Sequence, residues 1–310
     1  MPATYPTVSD SLFSSPWGRV ATDVGTTFSM LPVSVQIAFA IMFGLVIGSF
    51  LSVVAHRLPI MLERAWRNEV SDATGQPPDD DGLPIRYNLW LPRSACTHCG
   101  HTLRAWENIP VVSYVLLRGR CSQCGTHVSR RYPLLELASA ACAVAALVSF
   151  GPTLMALAAF GLCAALLAMS VIDIDTHLLP DSITLPLLWA GLIVNFDGLF
   201  ASLHDAVLGA ITGYLVLWCV HWVFRLVRGI EGMGYGDFKL LAALGAWLGW
   251  AALPQIVLVA AVAGAVVGLA ATWRGRMRFE EPLPFGPFLA AGGALTLFIG
   301  TPLYLALGGG

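Results

Sequence analysis

Two aspartates and four cysteines are the residues of this chain whose types and spacing could do chemistry. Asp173 lies in Val171-Ile172-Asp173-Ile174-Asp175, and Asp237 ends Gly234-Tyr235-Gly236-Asp237. Both stand at the ends of apolar runs that otherwise carry almost no charge. An ionised carboxylate at the edge of hydrocarbon is costly and marks function. Two of them a few ångströms apart cannot both ionise easily, and they share one proton. The charged one can then take a proton from water while its partner protonates or polarises a carbonyl. That is peptide hydrolysis without a covalent enzyme nucleophile. On local sequence alone, Asp237 serves equally well as the N-cap of the run that follows it.

The cysteines form Cys96-Thr-His-Cys99 and Cys121-Ser-Gln-Cys124, with 21 residues between the pairs. Four thiolates from two such knuckles can close a tetrahedron around zinc, with redox-active thiols as the rival reading. Gly100 and Gly125 follow the knuckles and suit the tight turns that aim both sulfurs at one ion. A shell of four cysteines is closed, so the metal should be structural. His98, His101 and His127 are then surface or supporting residues. Cys142, Cys163 and Cys219 fall inside apolar runs and read as small hydrophobes.

The elements that must position these groups are membrane spans. The chain has 310 residues, 56% hydrophobic and only 12% charged, with a mean hydropathy of +0.72. A soluble domain carries about 25% charged residues. Eight runs are long enough, or nearly so, to cross a ~30 Å core: 33–54, 133–150, 153–172, 183–200, 206–228, 238–253, 255–273 and 285–308. The chain should therefore be an all-α polytopic membrane protein with about eight transmembrane helices. Residues 1–32 read as a flexible tail rather than a signal peptide. Residues 55–132 form a cytoplasmic insert between the first and second helices, with Asn68–Gly82 as a solvated loop. Residues 133–310 form a seven-helix bundle.

Ten of the 17 Lys and Arg lie between the first two runs, from Arg57 to Arg131. Arg225, Arg228, Lys239, Arg274, Arg276 and Arg278 fall on two further loops of the same parity, the alternate loops carry none, and Arg19 is the only exception. The excess of positive charge puts those loops, the cysteines and both aspartates in the cytoplasm. Disulfides are disfavoured there. Gly44/Gly48, Gly209/Gly213, Gly245/Gly249 and Gly264/Gly268 recur four apart, the spacing of close helix packing.

Asp173 and Asp175 project about 200° apart on a helix, so only one can face a given partner. Asp175 reads as a solvated carboxylate and Asp181, after Pro180, as an N-cap. Lys239 is near enough to hold Asp237 ionised but fits better as a cationic anchor. Glu136 is either a buried polar partner or interfacial. The glycine-dense stretch 229–236 lacks the G-K-[ST] ending and preceding strand of a phosphate loop.

Four blocks in order give the chain a resemblance. They are Gly48-Ser-Phe-Leu-Ser-Val-Val-Ala-His-Arg-Leu-Pro59, the paired C-x2-C motifs, Asp173 to Asp181, and Gly232-Met-Gly-Tyr-Gly-Asp-Phe-Lys239. Together they resemble the bacterial type IV prepilin peptidases, membrane aspartic proteases of the GxGD type. The resemblance runs from about Gly44 to the last span. It implies Asp173 and Asp237 as the catalytic pair, selecting Asp173 over Asp175. It also implies cleavage of the short basic leader of prepilins and type II secretion pseudopilins, after a glycine at the cytoplasmic edge of the substrate helix. The implied location is the bacterial inner membrane, with lipid and pilin segments as partners and no nucleic acid. Many members also methylate the new N-terminal residue, usually Phe, from S-adenosylmethionine. Complete knuckles at Cys96, Cys99, Cys121 and Cys124 point to that bifunctional form, and Asn108–Gly119 is similar to the family's segment linked to methylation. A proton-coupled transporter would place its charges near mid-membrane, and an assembly protein would use the cysteine module only to dock partners.

Overall fold

The computed structural model describes residues 26–75, 81–84, 86–229, 234–275 and 283–301. Eight long helices fall in order on the eight apolar runs: α1 Val33–Thr74, α2 Arg131–Phe150, α3 Leu154–Thr176, α4 Asp181–Val194, α5 Leu203–Arg228, α6 Tyr235–Leu248, α7 Leu253–Trp273 and α8 Gly286–Ile299. No strand forms among the described residues, and the insert carries two isolated bridges, Ala95 with Thr102 and Arg120 with His127. The chain is an all-helical, multi-pass membrane protein.

Five of the helices, α1, α2, α3, α5 and α7, are long and apolar enough to cross a bilayer. The other three have 14 residues each. At 1.5 Å per residue that is about 21 Å, short of a ~30 Å core. Their ends differ from the expected limits of 200, 253 and 308 because local chemistry stops them early. Past Val194, the buried Asn195 amide donates to the carbonyls of Ala246 and Trp247, both at 2.8 Å. Its oxygen accepts from Phe200 at 2.9 Å and Ala201 at 3.0 Å. One side chain thus turns the chain after α4 and satisfies the last turn of α6. Gly249 and Gly300, both at φ +80°, end α6 and α8. Residues 302–308 of the expected last span lie outside the described residues.

Helix α6 is the centre of its unit. Phe238, Leu240, Leu241, Ala243, Leu244 and Ala246 are fully buried, and α4, α5 and α8 pack around them. Gly209 of α5 and Gly245 of α6 meet backbone to backbone, and a Cβ on either would strike the other's carbonyl. A Cβ on Gly213 would stand 2.7 Å from the Leu241 carbonyl. Gly44 and Gly48 of α1 make the same kind of contact with Ala140 and Glu136 of α2. Gly264 and Gly268 meet only ordinary side-chain contacts, so that pair is not a close-packing seam.

The chain divides into two compact units, Ala38–Val144 and Met1–Ile37 together with Ala145–Gly310. Within the first, α1 does not stop at residue 54. It runs through Pro59 to Thr74, so Asn68–Thr74 is helical rather than loop. The residues after Pro59 are mostly good helix formers, and Gly75 at φ +68° provides the stop. Asp81 returns to pair with Arg64 at 3.2 Å and Arg67 at 3.9 Å. Residues 76–80 of the expected loop and 1–25 of the expected tail lie outside the described residues, while Thr26–Ser29 form one helical turn.

Candidate active site

Asp173 sits in the last turn of α3. The Thr153 hydroxyl caps the start of that helix by accepting the Ala156 N–H. The end is turned by His177 in the left-handed region at φ +53°, whose N–H donates to the Asp173 carbonyl at 2.9 Å. Asp237 is the third residue of α6. The N-cap is Gly234, so Asp237 does not have the capping role that local sequence allowed. A helix N-terminus still favours negative charge there. Both aspartates are buried, at 5% and 8% exposure, and they lie close enough to act on each other electrostatically. Asp175 is exposed.

A third segment completes the site. Gly286, the first residue of α8, donates its N–H to Asp173 Oδ2 at 3.0 Å. A Cβ at position 286 would stand 2.6 Å from that oxygen. Leu179, on the α3–α4 loop, packs between Gly286 and Gly236, and a Cβ at 236 would lie 2.7 Å from Leu179 Cβ. Bare backbone at 236 and 286 is therefore what lets α6, α8 and the Leu179 loop close around Asp173. Sequence reasoning did not single out Gly286 or Leu179. The signal was Pro284-Phe-Gly-Pro287, a proline-marked helix start whose Gly286 N–H is left to meet a buried carboxylate.

Lys239 does not serve Asp237. Its ammonium binds both oxygens of Asp181 at 2.6 and 2.7 Å, joining the starts of α4 and α6. Asp181 is accordingly an ion-pair partner and not an N-cap; Pro180 holds that position.

In the unit Ala38–Val144, the sulfurs of Cys96, Cys99, Cys121 and Cys124 lie within 4.8 Å of one another and could hold a metal ion. The Cys96–Cys124 and Cys99–Cys121 separations are 3.8 and 4.0 Å. Gly100 and Gly125, at φ +72° and +70°, donate to the carbonyls of Cys96 and Cys121, so both knuckles close in the same way. The Thr126 hydroxyl and backbone hold the Cys124 thiol down to about 6, whereas burial and the neighbouring sulfurs push the Cys99 thiol up to about 11. His101 lies 3.2 Å from Glu107, a supporting contact rather than a place in the sulfur shell. The Arg104 N–H, at 2.7 Å, and the Ser122 hydroxyl keep Glu107 ionised, near 2, so it ties one knuckle to the other. Glu136 is a buried partner and not interfacial: it accepts the Val111 N–H at 2.7 Å.

Apolar helices that bury two carboxylates in one unit, in a chain whose other unit carries the cysteines, define a polytopic membrane protein with a candidate acid/base pair. Residues 42–150 match the Bacterial Peptidase A24 N-terminal domain and residues 160–269 the Type IV leader peptidase family. The chain is 68% identical over 309 residues, the full length of both, to the Prepilin leader peptidase/N-methyltransferase of Burkholderia pseudomallei strain K96243. Proteins of the same name from Pseudomonas aeruginosa and Stutzerimonas stutzeri are 52% and 51% identical. The first match covers 87% of this chain and 93% of the relative, the second 84% and 90%. The chain belongs to the Type IV leader peptidase family. No solved structure matches it significantly.

Proposed function

We propose that this chain removes the short basic leader of prepilins and type II secretion pseudopilins, and then methylates the exposed terminal amine. The observation that carries the peptidase half is the burial of Asp173 and Asp237 near enough to act on each other, with the Gly286 N–H fixed on the first. One carboxylate, ionised, draws a proton from water, and the water oxygen attacks the scissile carbonyl carbon. The other carboxylate, protonated, gives its proton to the carbonyl oxygen. On collapse of the tetrahedral centre the C–N bond breaks, and the amine leaves with a proton from the pair. The amide of Gly286 holds Asp173 in one orientation through these transfers, and burial keeps bulk water from competing.

Location follows from charge. The basic loops share one parity with the carboxylate-bearing ends, which supports a site at the cytoplasmic face of the inner membrane. A basic leader is retained on that side.

For the cysteines the reading is a structural zinc. A tetrahedron with Zn–S bonds of about 2.3 Å needs sulfurs about 3.8 Å apart, and the separations of 3.8 and 4.0 Å fit it. For methylation, S-adenosylmethionine would supply a methyl on a cationic sulfur, leaving as the thioether with the C–S electron pair while the terminal amine takes the methyl and gives a proton to solvent.

The test is incubation of the purified chain with a prepilin and S-adenosylmethionine, read by mass spectrometry. The expected product is shortened and carries one added methyl. Asp173→Asn and Asp237→Asn should each slow cleavage by at least ~100-fold. Leader removal at the normal rate by either variant would show the assigned pair to be wrong.

A further inference from the structure

The relatives' names join two activities, and the carboxylate pair accounts for only one of them. The unit Ala38–Val144 has no part of that pair, yet it carries an open cavity of about 300 Å³. One face of α1 supplies Ser49, Phe50 and Arg57 to its wall, and the insert supplies Trp90 and Asn108.

Three features of the wall are unusual. Phe50 and Trp90 stack at 5.7 Å with 28° between their planes, and Trp90 is still 77% exposed. A tryptophan presented on a rim in this way offers the best aromatic face for a cation. Arg57 is buried, donates to the carbonyls of Asn88 at 2.9 Å and Pro92 at 2.7 Å, and lies over the Tyr87 ring at 5.6 Å. Those bonds use two of five N–H donors, and no carboxylate pairs with Arg57 among the described residues. A buried cation without an anion is costly unless something completes it. Finally, Val111, beside the cavity residues Asn108 and Pro110, has φ +58°, a conformation that a β-branched residue rarely adopts. It is held there by its N–H bond to Glu136, which also bonds Ser49 of the opposite wall. Backbone strain maintained by a buried carboxylate is a mark of ligand sites.

The cavity thus presents an aromatic face for a positive group and a buried guanidinium for a negative one. Polar edges lie between them. We infer that it binds the methyl donor, a sulfonium nucleoside bearing an α-amino acid. Trp90 faces the sulfonium and the base, Arg57 takes the carboxylate, and Ser49 and Asn108 meet the polar edges of the nucleoside. The inference rests on the methyltransferase reading above. A phospholipid headgroup also joins a cation to an anion and is the rival occupant.

The experiment is calorimetric binding of S-adenosylhomocysteine and S-adenosylmethionine to the full chain in nanodiscs. Trp90→Ala should weaken S-adenosylmethionine at least ~10-fold. It should weaken the uncharged thioether product less, because only the donor carries the cation. Arg57→Lys, which keeps the charge but not the planar fork, should weaken both. Trp66→Ala, an exposed tryptophan of α1 outside the cavity, should change neither. Thermal melting of each variant checks that it is folded. Wild-type binding that Trp90→Ala and Arg57→Lys leave within twofold overturns the site while leaving the methyltransferase intact. Binding of short-chain phosphatidylcholine, lost in Trp90→Ala, with no nucleoside binding, assigns the cavity to lipid and overturns the inference. Failure of the wild type to methylate a cleaved pilin would instead sink the methyltransferase reading itself.

Discussion

Gly286 is where a single atom should have the largest effect. Gly286→Ala puts a methyl 2.6 Å from Asp173 Oδ2, so the carboxylate has to shift from its place. A displacement of about 1 Å in a reacting group costs roughly 100-fold in rate. Leader cleavage should fall by that order in kcat with KM within twofold, since the substrate helix does not depend on this oxygen. Adding Leu179→Ala should not restore the rate; restoration would mean that crowding against Leu179, and not the position of Asp173, caused the loss. Lys239→Met gives the opposite expectation. Its partner Asp181 is half-exposed, and such pairs contribute only ~0.2–1 kcal/mol. Thermal stability and cleavage should change little, whereas a loss equal to that of Asp237→Asn would return Lys239 to the site. The acidic pair itself was legible in the sequence because charge is so scarce around it. Choosing between Asp173 and Asp175 was not legible from the residues, because the group that singles out Asp173 is an amide 113 positions further on.

At the scale of elements, the eight helices were readable from hydropathy and their order needed no correction. Their ends were not. Asn195 ends α4 by bonding the last turn of α6, a contact about 50 residues away that no local pattern announces. The continuation of α1 to Thr74 was hidden for a different reason: the proline-rich segment after it drew the loop boundary too early. The glycine spacing was a better guide, correct for the α5–α6 and α1–α2 seams and wrong for Gly264/Gly268. It also yields a firm expectation. Gly245→Val forces two backbones apart, at a cost of ~1–3 kcal/mol or more. The variant should melt earlier and lose cleavage with its fold, while Gly264→Val, facing only the Phe288 ring, should be nearly neutral. Equal melting temperatures for the two would contradict the backbone seam.

For the molecule as a whole, two kinds of solvent call for two kinds of stabilisation. The unit carrying the carboxylates is built from apolar helices, but the insert is small and polar, with few buried apolar side chains of its own apart from Cys121. A metal should replace the missing core. Cys96→Ser with Cys124→Ser should release about one zinc per chain and open residues 96–124 to limited proteolysis. Full zinc content with unchanged protease resistance would refute the assignment. The short central helix α6 also constrains how the protein is made. It is too short to reach across the bilayer alone, and Asp237 and Lys239 stand at its entrance. Such a segment cannot span the bilayer by itself, and its glycine seam fits α5. The two should enter the membrane as a hairpin, so the ribosome has to pass Gly249 before either helix can settle, and the end that carries the two carboxylates is assembled only when α8 arrives last.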